Sequence, residues 1–144
     1  MKGKAKSKPT YKEALKVAGF KATPKRLELL EAPARVEEPL TVLAIQKLLR
    51  NKMNEVTLYR ALEAFAAAGL VRRVDLNHDH AHYELAMGRE HHDHAVCTNC
   101  GVVEDIKDCA LEPLEKKALT QSKFKSIYSH NLEFFGLCRS CSTN

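Results

Sequence analysis

The chain has 144 residues and a formal net charge of +5, which allows one mid-sized domain or two small ones. Two small domains would each have little core and would need a metal, disulfides or a partner subunit for stability. The lysine-rich start is not followed by an apolar stretch, and no segment is apolar enough to span a bilayer. We therefore expect a cytoplasmic protein with no membrane partner.

Positive charge is concentrated in the first part of the chain. Residues 1–60 contain 14 Lys and Arg against 6 Asp and Glu, whereas residues 61–144 contain 9 against 12. The first part is therefore where a polyanion such as nucleic acid would bind. Charge alone leaves open a solvated basic surface without a partner.

The chain begins with a predicted basic arm, residues 1–8, in which lysines alternate with small residues. Helical periodicity starts at Tyr11 and is stopped by Gly19. A second helix is predicted after Thr23 as its N-cap, because proline at the next position favours a first helical turn. We expect Leu27 and Leu30 to be its buried residues and Pro33 to end it.

Two further helices are predicted before the first strand. One follows Thr41 and would bury Ile45, Leu48 and Leu49. The next begins after Asn54 as N-cap and ends at Gly69. Its apolar face would carry Leu58, Ala61, Leu62 and Phe65. Near its beginning the outward positions are Val56, Thr57, Tyr59, Arg60 and Glu63.

A hairpin is predicted after the fourth helix, with strands at Val71–Asp75 and His82–Leu85. Short helices that end in an outward-facing helix and a hairpin are typical of a winged helix-turn-helix, in which that helix enters the major groove of DNA. A plain helical bundle is the alternative, but the basic charge favours DNA. We predict a DNA-binding domain over residues 9–86.

The rest of the chain has a different composition. Residues 87–91 are predicted to form a hinge, and residues 92–144 a small α/β domain. Strands are expected at 92–97, 102–106 and 126–135. A helix is expected at 111–122, with Leu111, Leu114 and Ala118 facing inward. The predicted fold class is therefore α+β.

Four of the five cysteines form two Cys-x-x-Cys pairs, Cys97 with Cys100 and Cys138 with Cys141. Two such pairs brought together make a tetrahedral sulfur site suited to Zn(II). Unrelated buried cysteines or a redox pair are the alternatives. Cys109 stands alone, and its expected role is that of a small buried hydrophobic residue.

Histidines and carboxylates cluster directly before the first cysteine pair. On a strand, His92 and His94 would point to one face, while His91 and Asp93 would point to the other. The first face could be joined by Glu84 and Asp105 together with His82 or His80, and the second by Glu112 and His130. These donors suit Fe(II), Mn(II), Zn(II) or Ni(II). The alternatives are a solvated polar strand and, for His130, a core histidine.

These motifs together resemble the signature of the ferric uptake regulator (Fur) family. The resemblance is carried by His91-His92-Asp93-His94-x-x-Cys97-x-x-Cys100-Gly101 and by His130-x-x-x-Phe134-x-Gly136-x-Cys138-x-x-Cys141. In the first part it is carried by Gly19-Phe20-Lys21-x-Thr23-x-x-Arg26 and Val56-Thr57-Leu58-Tyr59-Arg60. The similarity extends over about residues 10–141.

The resemblance implies a metal-responsive repressor of metal-homeostasis or peroxide-stress genes that binds palindromic operators in double-stranded DNA as a homodimer. It implies an N-terminal winged-helix domain and a C-terminal α/β dimerisation domain. The structural zinc ligands would be Cys97, Cys100, Cys138 and Cys141. The ligands of a regulatory divalent metal would be His82, Glu84, His92, His94 and Asp105. A further metal site would use His91, Asp93, Glu112 and His130, and DNA would be contacted by Lys21, Thr57, Tyr59 and Arg60.

The sequence departs from the family pattern in the loop before the third helix. Iron-sensing and peroxide-sensing members usually supply a histidine there, but this loop reads Val36-Glu37-Glu38-Pro39-Leu40. The regulatory site could be completed by His80, His82, Glu37 or Glu38. The identity of the sensed metal is therefore left open.

Two other classes of protein would use similar residues. A zinc hydrolase or deaminase would also use histidines, carboxylates and cysteines, but a deaminase would show His-x-Glu followed by Pro-Cys-x-x-Cys, and neither is present. A zinc-stabilised interaction module without DNA would not explain the outward residues of the fourth helix or the basic first part. We therefore expect no catalytic residues.

Overall fold

The computed structural model describes residues 9–77, 79–107, 112–127 and 130–143. The predicted basic arm, Leu111 and Cys109 lie outside these residues. The chain forms two compact units, Met1–Arg89 and Glu90–Asn144, and this boundary falls within the segment 87–91 for which a hinge is predicted. Within the described ranges, no helix is long and apolar enough to cross a membrane.

The described residues of the first unit form four helices and a three-stranded sheet. In chain order its elements are α1 (Tyr11–Val17), α2 (Pro24–Ala34), β1 (Leu40–Thr41), α3 (Val42–Leu48), α4 (Glu55–Ala67), β2 (Val71–Val74) and β3 (His82–Leu85). The sheet order is β1-β3-β2, with both pairs antiparallel. The hairpin of β2 and β3 is the predicted wing, while β1 was not expected from the sequence.

Each helix of the first unit begins at a side chain that accepts a backbone N–H. Thr10, Thr23, Thr41 and Asn54 are the N-caps, and each satisfies an amide that has no partner within the helix. Two of the chain reversals that follow a helix use Gly19 and Gly69 with φ of +84° and +74°, which glycine adopts without steric cost. Local sequence therefore defines these helices.

The core of the first unit confirms most of the predicted apolar faces. Among its fully buried side chains are Leu15, Leu29, Leu30, Ile45, Leu58, Leu62, Phe65 and Tyr83. Leu27 is only partly buried and Leu29 takes the place predicted for it, because the helix is rotated relative to the predicted stripe. Leu48 is 38% exposed, contrary to expectation. α2 also includes Pro33 and ends one residue later at Ala34, so the missing N–H leaves one hydrogen bond unmade near the end of the helix.

In its described residues, the second unit contains one sheet and two helices. Its elements are β4 (Asp93–Cys97), β5 (Val103–Ile106), α5 (Glu112–Gln121), β6 (Glu133–Gly136) and α6 (Arg139–Ser142). The sheet order is β5-β4-β6, with β5 antiparallel and β6 parallel to β4. Within the described part of 126–135, the strand begins only at Glu133. Leu114 and Ala118 of α5 are exposed rather than inward, because a unit this small does not cover both sides of its sheet.

Candidate metal centres and nucleic-acid interface

The first turns of α4 present the residues predicted to contact DNA. Asn54 caps the helix by accepting the N–H of Thr57 at 2.8 Å. Leu58 is fully buried and anchors this turn, whereas Tyr59 is 42% exposed. Thr57 and Arg60 are also exposed, as is Lys21 before α2. The helix therefore offers a polar, hydrogen-bonding surface on a rigid base.

A contact that the sequence did not reveal joins this helix to the wing. The hydroxyl of Tyr83, on β3, donates to the carboxylate of Glu63 on α4. Arg73 on β2 lies 3.5 Å from the same carboxylate. Burial of the ring, together with the acceptor Glu63, raises the pKa of Tyr83. One carboxylate thus connects α4 to both strands of the wing.

The four paired cysteines meet at one end of the second unit. Their sulfur atoms all lie within 4.8 Å of one another, and the sulfurs of Cys100 and Cys138 are 3.8 Å apart. A tetrahedral zinc with Zn–S bonds of about 2.3 Å would place its sulfurs about 3.8 Å apart. The sulfur set therefore fits Zn(II) and leaves no coordination position open.

Backbone amides and neighbouring thiols give these cysteines unequal acidity. N–H groups of Cys100 and Cys138 point at the sulfur of Cys97 and lower its pKa to about 6. The Val102 N–H lowers the pKa of Cys100, but the thiol of Cys97, burial, and the thiols of Cys138 and Cys141 together outweigh it and raise that pKa to about 11. A divalent cation would stabilise all four thiolates together.

The wing carries a buried carboxylate and a buried histidine. Glu84 is 2% exposed and His82 is 6% exposed, and the two are on the same face of β3 because they are two residues apart. Arg72, directly opposite Glu84 on β2, donates to its Oε1 through Nε at 2.6 Å and also contacts it through Nη2. Arg89 approaches Oε2 at 3.8 Å. Sequence analysis did not anticipate either arginine.

In the second unit His92 and His94 form a separate pair at the start of β4. Their rings are 5.1 Å apart, and both are buried. His92 Nδ1 lies 2.9 Å from the carbonyl of Glu90, and since a carbonyl only accepts, this nitrogen carries the proton and leaves Nε2 with its lone pair. Asp105 lies opposite His94, with its Oδ1 3.8 Å from His94 Nε2.

A third cluster combines His91, Asp93 and His130, whose potential ligand atoms lie within 4.8 Å of one another. His91 Nε2 is 2.8 Å from His130 Nε2 and 3.6 Å from Asp93 Oδ1. Glu112, predicted to join them, is exposed at the start of α5 and outside this group. Glu115, one turn later, contacts His130 instead. The sequence pointed to Glu115 only through its position three residues after Glu112 on the predicted helix.

Comparison with known proteins identifies the family to which this chain belongs. The model of the ferric uptake regulator family matches residues 17–135, and the ferric uptake regulation protein of Legionella pneumophila is 37% identical over 133 residues, covering 90% of this chain and 96% of that protein. The chain belongs to the ferric uptake regulator family. The resemblance inferred from the sequence motifs is confirmed.

Solved structures of Fur proteins share the fold. The Vibrio cholerae ferric uptake regulator has 31% sequence identity and a TM-score of 0.69, over 88% of this chain and 98% of that one. The Pseudomonas aeruginosa regulator, determined with manganese, has 30% identity and a TM-score of 0.71, over 87% and 95%. These structures confirm the predicted α+β class.

This Fur family chain is a metal-responsive transcriptional repressor. It has a four-cysteine site and, separately, histidines and carboxylates in each unit, which confirms the prediction of a structural Zn(II) and a second divalent metal. The family assignment does not favour a hydrolase, a deaminase or an interaction module without DNA.

Proposed function

We propose that this protein binds palindromic operators in double-stranded DNA as a homodimer in the cytoplasm and represses metal-homeostasis or peroxide-stress genes when a second divalent metal is bound. One observation carries the proposal: the chain has a closed sulfur site and also a second donor set made of imidazoles and carboxylates. A closed four-thiolate site is suited to structure. The set of imidazoles and carboxylates is suited to reversible binding of a divalent metal.

We assign the regulatory metal to His82, Glu84, His92, His94 and Asp105. The support is that Glu84, His92 and His94 are buried and carry carboxylate and imidazole donors, which suit a divalent transition metal. The hydrogen bond from His92 to the Glu90 carbonyl also prepares Nε2 as a ligand. The Pseudomonas aeruginosa regulator was determined with manganese, and Fe(II), Mn(II), Zn(II) and Ni(II) all fit these donors.

A further metal is assigned to His91, Asp93 and His130. The support is the convergence of their donor atoms and the burial of Asp93, which is 2% exposed. Glu112 remains a candidate fourth ligand by resemblance alone. This site is separate from the pair formed by His92 and His94, since adjacent residues of a strand point to opposite faces.

DNA contacts are assigned to Thr57, Tyr59 and Arg60 in the major groove and to Lys21 near the backbone or the minor groove. The support is their exposure on a capped helix and the basic charge of the first part of the chain. Arginine is well suited to read guanine, whereas a single lysine contributes mainly through charge.

Dimer formation is assigned to the second unit. Its exposed apolar residues include Leu114, Phe124, Phe134, Phe135 and Leu137. Phe134 and Phe135 lie on β6, which is an edge strand of the sheet, and an edge strand with exposed apolar side chains favours pairing with another chain. A second copy would cover these side chains, which a monomer of this size leaves in water.

The test is a gel-shift titration of the zinc-loaded protein with Mn(II), using the promoter region of its own gene and a scrambled fragment of equal length. We expect Mn(II) to increase affinity for the promoter. The variant with His92→Ala and His94→Ala should remain a zinc-loaded dimer but lose this response. Arg60→Ala should weaken promoter binding by about 1–3 kcal/mol per half-site while leaving scrambled DNA almost unaffected.

The outcomes separate the parts of the proposal. An unchanged Mn(II) response in the double variant would place the switch at another site. Equal losses on the promoter and on scrambled DNA for Arg60→Ala would contradict base recognition by that residue. Lack of promoter binding with or without metal would overturn the proposed function.

A further inference from the structure

The two ring nitrogens of His130 face different partners. Its Nδ1 lies 2.7 Å from Oε1 of Glu115, and its Nε2 lies 2.8 Å from Nε2 of His91. A carboxylate only accepts hydrogen bonds, so Nδ1 of His130 carries a proton and donates it to Glu115. In the neutral ring, Nε2 then holds the lone pair and faces His91 and Asp93.

We propose that Glu115 is a positioning residue for a metal bound by His91, Asp93 and His130, and that it acts by fixing the tautomer of His130. The inference rests on the further metal site of the proposed function. Histidine ligands commonly donate their other N–H to a carboxylate, which orients the ring and increases its basicity. Glu115 occupies that outer position, since it contacts Nδ1 and not the nitrogen that faces the cluster.

The buried carboxylate of Asp93 supports a cation at this place. Asp93 is 2% exposed, and its Oδ1 has no hydrogen-bond partner among the residues that the structure describes. His91 Nε2 lies 3.6 Å from that oxygen, beyond hydrogen-bond distance. A metal between the three side chains would compensate the buried oxygen directly.

The two histidines then have unequal tasks. With His130 Nε2 as an acceptor, the 2.8 Å contact requires His91 to donate from its own Nε2. His91 must therefore move its proton to Nδ1 before its Nε2 can bind a metal, which its 42% exposed side chain allows through water. His130 needs no such change, because Glu115 already holds its proton on Nδ1. We expect metal binding to alter the tautomer of His91 only.

The contact also distinguishes Glu115 from Glu112. Both lie in α5, but Glu115 is half-buried against His130 while Glu112 is exposed. The two residues make a matched pair, since each can be changed to alanine or glutamine in the same helix. If Glu112 is a direct ligand, its removal should change the metal coordination and leave the His130 tautomer as it is.

The first measurement is the nitrogen NMR spectrum of the imidazoles in the zinc-loaded protein without further metal. We expect His130 to be protonated on Nδ1 in the parent and in Glu112→Ala, and to become a mixture of tautomers in Glu115→Ala. Glu115→Gln should restore much of the Nδ1 form, because its amide oxygen also accepts. An unchanged His130 spectrum in Glu115→Ala would overturn the proposal.

The second measurement is Co(II) binding by zinc-loaded protein that carries His92→Ala and His94→Ala, so that only the further site is tested. Adding Glu115→Ala should weaken the Co(II) Kd by about 10-fold to 100-fold, as expected for an outer carboxylate. The visible spectrum of the saturated site should not change, since no ligand is lost. A changed spectrum would make Glu115 a direct ligand and overturn its positioning role.

The experiment also separates this inference from the site on which it depends. If the background protein binds no Co(II), or if His91→Ala does not affect binding, the metal site itself is wrong and the inference fails with it. If Co(II) binds through His91 but Glu115→Ala has no effect on Kd, the site stands and only the role of Glu115 is overturned.

Discussion

Glu84 shows how a single buried charge can be held in the wing. Its side chain is 2% exposed, and that of Arg72 is 20% exposed. A carboxylate removed from water is stable only when it is paired and hydrogen-bonded. Arg72 supplies two N–H groups from the position directly opposite on the neighbouring strand. The pair therefore stabilises the hairpin chiefly because an unpaired Glu84 would be costly.

Removal of Arg72 should have a large effect on folding. We expect Arg72→Ala to lower the free energy of unfolding by about 3 kcal/mol, because it leaves a buried carboxylate without its main partner. Urea denaturation followed by circular dichroism measures this change. Adding Glu84→Gln should recover part of the loss, since the neutral amide is less costly to bury.

The neighbouring Arg73 is the matched control. It also pairs with a glutamate, but its side chain is 54% exposed and that of Glu63 is 39% exposed. Such a pair is screened by water, so Arg73→Ala should cost no more than about 1 kcal/mol. Equal losses for the two arginine variants would contradict the importance of burial at Glu84.

At the scale of elements, the contact between Tyr83 and Glu63 connects the wing to α4. α4 packs on the core through Leu58, Leu62 and Phe65, but those apolar contacts do not specify how the hairpin lies against the helix. The directional hydrogen bond from the Tyr83 hydroxyl specifies that orientation. The exposed face of α4 and the wing are thus held as one surface within the first unit.

This contact predicts a loss of stability at alkaline pH. Burial and the bond to Glu63 raise the pKa of Tyr83 above its usual 10.0. The unfolded chain therefore ionises first, so the stabilisation is complete below pH 10.0 and declines as the pH rises above it. Tyr83→Phe should cost about 1 kcal/mol at neutral pH and should reduce the alkaline decline. Parallel stability curves for the two proteins, measured in urea across this range, would contradict the prediction.

The sulfur site connects two other elements. Cys97 ends β4, and Cys138 precedes α6 and donates its N–H to the Cys97 sulfur at 3.3 Å. A metal at this site closes the long loop between them, and its binding free energy contributes directly to folding. The second unit therefore depends on the cysteines at both ends of that loop.

Loss of one zinc ligand should unfold or monomerise the second unit. Cys138→Ser is expected to lose zinc, to lose helical and strand signal, and to elute as a monomer or an aggregate. Zinc quantification combined with sizing chromatography tests this, with Cys109→Ser as the control that should retain zinc. A dimeric Cys138→Ser protein with full zinc content would show that the metal does not maintain this unit.

At the scale of the whole molecule, the two units bury their apolar residues to different extents. The first unit has a shared core of leucines, Phe65 and Tyr83. In the second, Phe124 is 71% exposed and Leu137 is 58% exposed. A domain this short does not complete a core by itself. The difference supports the proposal that the second unit gains stability from its metal and from a second copy.

The proposed dimer predicts that a charge introduced on β6 would disrupt it. Phe135 is 46% exposed, so Phe135→Lys should not disturb the inside of a protomer, yet it would place a charge in an apolar contact between copies. We expect a shift from dimer to monomer in analytical ultracentrifugation. Leu43→Lys, at a residue of the first unit that is 54% exposed, is the control and should stay dimeric. A dimeric Phe135→Lys protein would place the interface elsewhere.

Much of this molecule can be predicted from sequence because its signals are local. The N-caps at Thr23, Thr41 and Asn54 determine where helices start, and a cysteine pair in a tight turn is already half of a metal site. Long-range contacts are harder to predict. The hairpin register would have placed Arg72 opposite Glu84, but the choice between Glu112 and Glu115 depends on how α5 lies beside His130.

Contacts at the end of the first unit determine where a shortened protein can stop. Gly88, with φ of +71°, precedes Arg89, whose guanidinium donates to the carbonyls of Val36 at 2.9 Å and Glu37 at 3.2 Å. Arg89, the last residue of this unit, thus binds the end of the unit to the loop before β1. A shortened protein that stops at Met87 would lose both bonds and fray at that loop, whereas one that stops after Arg89 would keep them. A boundary for expressing the DNA-binding part alone therefore lies after the arginine.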